Sequence, residues 1–225
     1  MICALRGVII RSQALRAKID NNKTANLSGA IISQPSLLMS WRRLQFFFFA
    51  SALFVGGLSA GPVAGQIYSV ALVDVDQNKF ATADGHVTIL VATSSADVDK
   101  ARSVGDRIPD FCLANPTYRM ITIVRFDKKY HAPMRGIINA IVRRRLDREA
   151  QPLQQRYQTK NISRNARKDV FAVTDFDGGI ASQLGLPAGS NAFQVLVLGR
   201  KGELLRHWTE VPRAEELATV LKQGG

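Results

Sequence analysis

The amino-acid sequence predicts an α/β domain: a mixed central sheet flanked by helices, ending in an antiparallel hairpin and a C-terminal helix. Three observations carry this. Residues 87–92 (Val-Thr-Ile-Leu-Val-Ala) form a near-continuous apolar run, which suits a strand buried on both faces of a parallel sheet. Strand-like runs at 118–126 and 170–174 alternate with helical spacings at 97–108 and 133–158, and such alternation implies parallel pairing through crossovers. Residues 193–198 and 203–208 flank Gly199-Arg200-Lys201-Gly202, a hairpin signature.

Each element has its own local reason. Residues 68–75 read as a strand stopped by the turn Asp76-Gln77-Asn78, and Asp84-Gly85 marks a second turn. Val98, Ala101, Val104 and Ile108 recur at helical spacing. In the long stretch that follows, Met134, Ile137, Ile138, Ile141, Val142 and Leu146 fall on one helical face. Pro152 is expected to kink or break that helix, because it has no N–H to donate. Asp175 to Gly179 reads as a turn, and residues 180–184 as a short helix. Pro212 suits the first position of the last helix, whose buried stripe is Leu217, Val220 and Leu221.

The first part of the chain has a different character. Arg42 and Arg43 precede an uncharged apolar run at 46–58, followed by small residues up to Ala64 and Gly65. This is the pattern of a secretory signal peptide over residues 39–65, short for a membrane span; an uncleaved N-terminal anchor is the alternative. Residues 1–38 show no organisation, and Met39 stands directly before the signal-like pattern, so these residues are expected to be unstructured or not translated. Residues 66–225 form the expected domain, periplasmic or secreted.

The formal net charge is +12, of which residues 1–65 hold +6. Within the remainder, residues 125–168 carry 13 Lys and Arg against three acidic residues, so the basic character belongs to one segment. Two cysteines are present, Cys3 and Cys112. After removal of the signal, Cys112 has no partner for a disulfide or a Cys-x-x-Cys pair. With Phe111 and Leu113 beside it, it reads as a buried hydrophobe before it reads as a reactive thiol.

The element order resembles that of the thioredoxin-like superfamily, and so does Ala92-Thr93-Ser94-Ser95-Ala96-Asp97-Val98 where that superfamily carries Ala-Thr-Trp-Cys-x-x-Cys. Ser95 stands at the place of the attacking cysteine and Val98 at that of the resolving one. The resemblance is nearest to the YtfJ-like exported thioredoxin-fold proteins without the Cys-x-x-Cys. It rests on Thr122-Ile123-Val124 leading to Asp127, on Asp175-Phe176-Asp177-Gly178, and on Val197-Leu198-Gly199-Arg200-Lys201-Gly202-Glu203. It implies fold and export, with no activity attached.

Without a thiolate to attack and a second thiol to release the product, dithiol exchange is excluded. Two other places could carry function. Ser94, Ser95 and Asp97 enter a helix and could bind a ligand through helix N-terminal amides or simply cap them. Arg143, Arg144, Arg145 and Arg148 are expected to lie opposite Ile137, Ile138 and Ile141, either as a docking surface for an anionic protein or envelope surface or as a solvated face. Nucleic acid ranks last, since aromatic residues for stacking are sparse there. His86, His131 and His207 lack metal-ligand spacing, and Asp175 and Asp177 read as a turn, so no metal or cofactor is expected. The reading is an exported, non-dithiol binding module; the alternative is a single-cysteine, peroxidase-like enzyme using Cys112.

Overall fold

The computed structural model describes residues 61–126, 128–187 and 192–225. Most of the expected signal peptide and the whole of residues 1–38 lie outside the described residues. Two short antiparallel strands come first, β1 (Ala71–Val73) and β2 (Lys79–Ala81). The turn between them is built on Asp74, whose buried carboxylate accepts from the Asp76 and Asn78 amides at 2.9 and 2.7 Å and from the Asn78 side chain at 2.8 Å. This pair is a separate two-stranded sheet.

The central sheet has five strands: β3 (Val87–Ser94), β4 (Tyr118–Arg125), β5 (Phe171–Asp175), β6 (Gln194–Leu198) and β7 (Leu204–Trp208). Their spatial order is β5-β4-β3-β6-β7. β3, β4 and β5 run parallel, while β6 is antiparallel to β3 and to β7. The near-continuous apolar run of 87–92 follows from this: β3 is central, and seven of its eight residues are buried. The β6–β7 turn closes through Gly202 at φ +82°, where a Cβ would stand 2.7 Å from the Tyr68 carbonyl oxygen.

The crossovers are α1 (Val98–Asp106) and α2 (Ala132–Thr159); α3 (Gly179–Gln183) and α4 (Ala214–Gly224) complete the set. Pro152 does not end α2, which runs through it. The residue is exposed, so the carbonyl it leaves without a donor is open to water rather than enclosed in the core. α4 begins two residues after Pro212, with Arg213 at its N-cap.

The two sheet faces are covered unequally. On one, Leu90, Ala92, Ile121, Ile123, Val173 and Leu196 pack with Tyr68, Val70 and Leu72 of the N-terminal segment and with Ala181 of α3. On the other, Val87, Ile89, Val91, Val195 and Val197 pack with Ala101 and Val104 of α1 and with Leu217 and Leu221 of α4. α2 belongs to a third cluster, with Val142 and Leu146 against Val75, Val170 and Ala172 at the β5 edge. The apolar residues of α1 and α2 therefore sit in different clusters, with β4 between them. Residues before position 66 also engage the domain: the Gly65 amide donates to Leu204 at 2.8 Å, and the Val63 amide donates to the Tyr68 hydroxyl at 3.0 Å. Among the described residues no helix is long and apolar enough to cross a membrane.

Candidate functional site

The parallel strands end together. Ser94 of β3 is in register with Arg125 of β4, and Arg125 with Asp175 of β5. Function concentrates at such strand ends because the following loops can vary without disturbing the sheet. The Ser94 hydroxyl accepts from the Ala96 amide at 3.2 Å and donates to Asp97 at 3.3 Å. Ser95 is exposed in the turn, and Val98 is the half-buried first residue of α1.

The expected capping role is not met. Asp97 is the N-cap residue of α1, yet its side chain makes no cap hydrogen bond. Its carboxylate is taken by Lys100 at 2.8 Å, and that hydrogen bond, more than any other effect, holds it below the usual carboxylate range. Ser94 therefore organises the turn, while Ser95 makes no side-chain hydrogen bond among the described residues.

The four arginines do not form one face. Arg143 is anchored, donating to Asp76 at 2.8 Å and to the Val75 carbonyl. Arg145 lies 3.9 Å from Asp99 and 3.8 Å from Glu149. Arg144 and Arg148 form no ion pair among the described residues and are exposed. Nor do these two lie opposite the isoleucines. Positions 134, 137, 141, 144 and 148 recur at steps of three and four, which is one helical face. Ile137 and Ile141 are 55% and 59% exposed. The apolar residues expected on a single face are thus divided: Ile138, Val142 and Leu146 turn toward the domain, while Met134, Ile137 and Ile141 turn to solvent with Arg144 and Arg148.

Two further features were not foreseen. Phe126, Tyr130 and Phe176 cluster where β4 and β5 end, with Phe126 and Phe176 stacked at 4.9 Å and the Arg135 guanidinium 5.1 Å from the Phe176 ring. The sequence signal was an aromatic residue directly after each of two adjacent parallel strands. The second is a cavity between α1, α2 and the β4 face, lined by Val98, Met120, Thr122, Val124, Ile138 and Val142 among others, and part of a connected space of about 700 Å³ that also reaches Phe80, His86 and Phe171. Ser95 and Phe126 also line it, so it reaches the strand ends.

Cys112 is 7% exposed in the apolar cluster beneath α4, and burial pushes its thiol up to about 12. His86 pairs with Asp84 at 2.8 Å, and His207 faces Gln194, its basicity lowered by burial. Asp175 accepts from the Ala181 amide at 2.9 Å, and Asp177 from Gly179 at 3.1 Å, a turn arrangement. Among the described residues no group of three His, Cys, Asp or Glu side chains could hold a metal ion.

With strand order β5-β4-β3-β6-β7, three parallel strands and a terminal antiparallel hairpin and helix, the fold is thioredoxin-like. Solved structures to which the chain is similar carry this fold. The exposed lipoprotein thioredoxin Etrx1 of Streptococcus pneumoniae shares 13% identity over 69% of this chain and 98% of its own, with a TM-score of 0.43. MTB DsbF shares 12% over 70% and 96%, with a TM-score of 0.42. A secreted Mycobacterium tuberculosis disulfide oxidoreductase shares 12% over 69% and 96%, with a TM-score of 0.39. The likeness is one of fold, which this chain's own topology defines. No family model matches the chain, and no curated protein does.

Proposed function

We propose that this chain is an exported thioredoxin-fold module of the YtfJ-like kind that acts by binding, without dithiol chemistry, and docks on an anionic lipid surface of the envelope through α2. One observation carries the non-redox part. The turn after β3 presents Ser95 and Val98, neither of which supplies a thiolate, and a serine hydroxyl cannot replace one without a base. The single-cysteine alternative is not favoured, because a thiol held at about 12 by burial stays protonated at neutral pH.

The docking part rests on the solvent face of α2. Met134, Ile137 and Ile141 are apolar and exposed, and Arg144 and Arg148 continue the same face without ion-pair partners among the described residues. An interfacial helix inserts apolar side chains among the acyl chains while cations bordering them meet anionic headgroups. Arg144 and Arg148 are assigned to docking. Arg143 is assigned to holding the β1–β2 turn.

The test is co-sedimentation of the full chain with anionic phosphatidylglycerol vesicles and with neutral phosphatidylcholine vesicles, at low and moderate salt. Preference for anionic vesicles that fades with salt and is lost in Arg144→Glu/Arg148→Glu supports the proposal. Equal binding by that variant removes it. Export is tested separately, by N-terminal sequencing of the protein recovered from the envelope fraction.

A further inference from the structure

The cavity between α1, α2 and β4 opens at the strand ends, where Ser95 and Val98 line it. It exists because the helices on that side of the sheet pack on different strands: α1 with β3, and α2 with the β5 edge. The β4 side chains between them, Met120 and Thr122, stay only half-buried in the middle of the sheet. A folded domain closes such a gap by helix packing unless something else fills it, since interiors are packed to crystal-like density. The connected space, about 700 Å³ in all, also reaches Phe80, His86 and Phe171 on the β2 side and falls within the range of about 300–1,000 Å³ typical of small-molecule sites.

Its lining is ordered by chemistry. The floor and walls are apolar: Met120 and Val124 from β4, Val98 and Ala101 from α1, Ile138, Val142 and Leu146 from α2. Charge stands at the rim, where Arg102 and Arg145, 51% and 43% exposed, stand with Asp106 and Glu149. Arg102 is committed to Glu149, with its Nε 2.7 Å from the carboxylate. Arg145 is not so committed: its separations of 3.9 and 3.8 Å from Asp99 and Glu149 are longer than hydrogen bonds. Its guanidinium makes no hydrogen bond among the described residues.

We infer that this cavity binds a single-chain amphiphile with an anionic head, of the long-chain carboxylate class, with its chain along the β4 face and its head on Arg145. The apolar walls favour an alkyl chain through burial, and a guanidinium with free donors at the rim matches a carboxylate in a bidentate way. The inference needs none of Ile137, Arg144 and Arg148, which do not line the cavity, whereas Ile141 of the docking face borders both.

The experiment is a titration of the full chain with cis-parinarate, read by its fluorescence, followed by displacement with dodecanoate or dodecanol. Saturable binding displaced by both is expected. Thr122→Phe and Val142→Phe put a ring into the cavity from the sheet and from α2 respectively, and each should weaken binding at least about tenfold while the sheet amides stay protected from exchange. Arg145→Gln should weaken dodecanoate about tenfold and leave dodecanol unaffected. In the unmodified chain, saturating dodecanoate should slow amide exchange in α1 and across residues 138–146. Absence of saturable binding, binding that survives both filling substitutions, or no exchange protection would each overturn the inference.

Discussion

Arg102 of α1 and Glu149 of α2 are joined by two hydrogen bonds, Nε to one carboxylate oxygen at 2.7 Å and a terminal nitrogen to the other at 2.5 Å. The pair spans the gap where these helices share no apolar cluster, so it acts as a tie between them. Glu149→Gln removes the charge and one good acceptor. Because Arg102 is half exposed, the expected loss of stability is at most about 1 kcal/mol. Amide exchange should rise in α1 and in the middle of α2 while the sheet stays protected. Unchanged exchange in both helices would show that the tie is dispensable.

Cys112 should behave as a core residue. In a Cys3→Ser background, a disulfide reagent such as dithionitrobenzoate is expected to react slowly with the native protein at pH 7–8 and rapidly once it is unfolded. Cys112→Ser places a hydroxyl beside Val87, Val104 and Leu221 and should cost about 1–2 kcal/mol by urea melting. Fast labelling of the native protein would revive the thiol-based reading.

Asp84 ties the β2 end to the sheet. Arg119 of β4 donates to both its oxygens at 2.8 Å. Burial would raise this carboxyl, but the hydrogen bonds from Arg119, then from His86 and the Ala81 amide, outweigh it and hold the group at about 2. A carboxyl depressed in the folded state contributes stability that is present above its unfolded value near 4 and lost as pH falls toward 2. With partial exposure and screening, that contribution is about 1 kcal/mol. Asp84→Asn should flatten the urea midpoint against pH between 4 and 2; an unaltered slope there would contradict the assignment.

Tyr157, buried near the end of α2, donates to Asp169 at 2.9 Å and accepts from the Ala114 amide at 3.2 Å. Burial, then the Asp169 carboxylate, pushes its phenol up to about 12. Tyr157→Phe keeps the ring and leaves the Ala114 amide without its acceptor, while Asp169 keeps its ion pair with Arg164 at 2.7 Å; the change should cost about 1–2 kcal/mol. Exchange at the Ala114 amide should increase in step. A change below a few tenths of a kcal/mol would mean that water replaces the hydroxyl at no cost.

Pro152 lies inside α2 without ending it. A proline in a helix interior costs about 3 kcal/mol relative to alanine, partly relieved here by solvent at its position. Pro152→Ala is therefore expected to stabilise the domain by about 1–2 kcal/mol, read as a higher Tm. A lower Tm would mean that the ring's contact with the cavity lining outweighs the missing hydrogen bond.

Periodicity was a good guide where one strand or helix has one set of neighbours. The run at 87–92 demanded a strand buried on both faces, and it became the central strand β3. The Gly199–Gly202 turn was legible because a left-handed position admits glycine at little cost. The early strand at 68–75 was misleading in a specific way. Its residues bury into the sheet's face through Val70 and Leu72, but only three of them form a strand, and that strand pairs outside the central sheet. The edge place beside β4 is held by β5, a pairing set by distant residues.

By itself the sequence determined the alternation of strands and helices, the closing hairpin, and the absence of a thiol at positions 95 and 98, because each depends on residue type or on neighbours a few positions away. Only the tertiary structure decided which arginines are free. Asp76 lies 67 residues from Arg143 along the chain and 2.8 Å from it in space, and no local pattern reports such a partner. It also decided that Met134, Ile137 and Ile141 face solvent and that a cavity lies beneath α2. Helical spacing says which side chains share a face, and only the packing of α2 against β5 says which part of a broad apolar arc is covered.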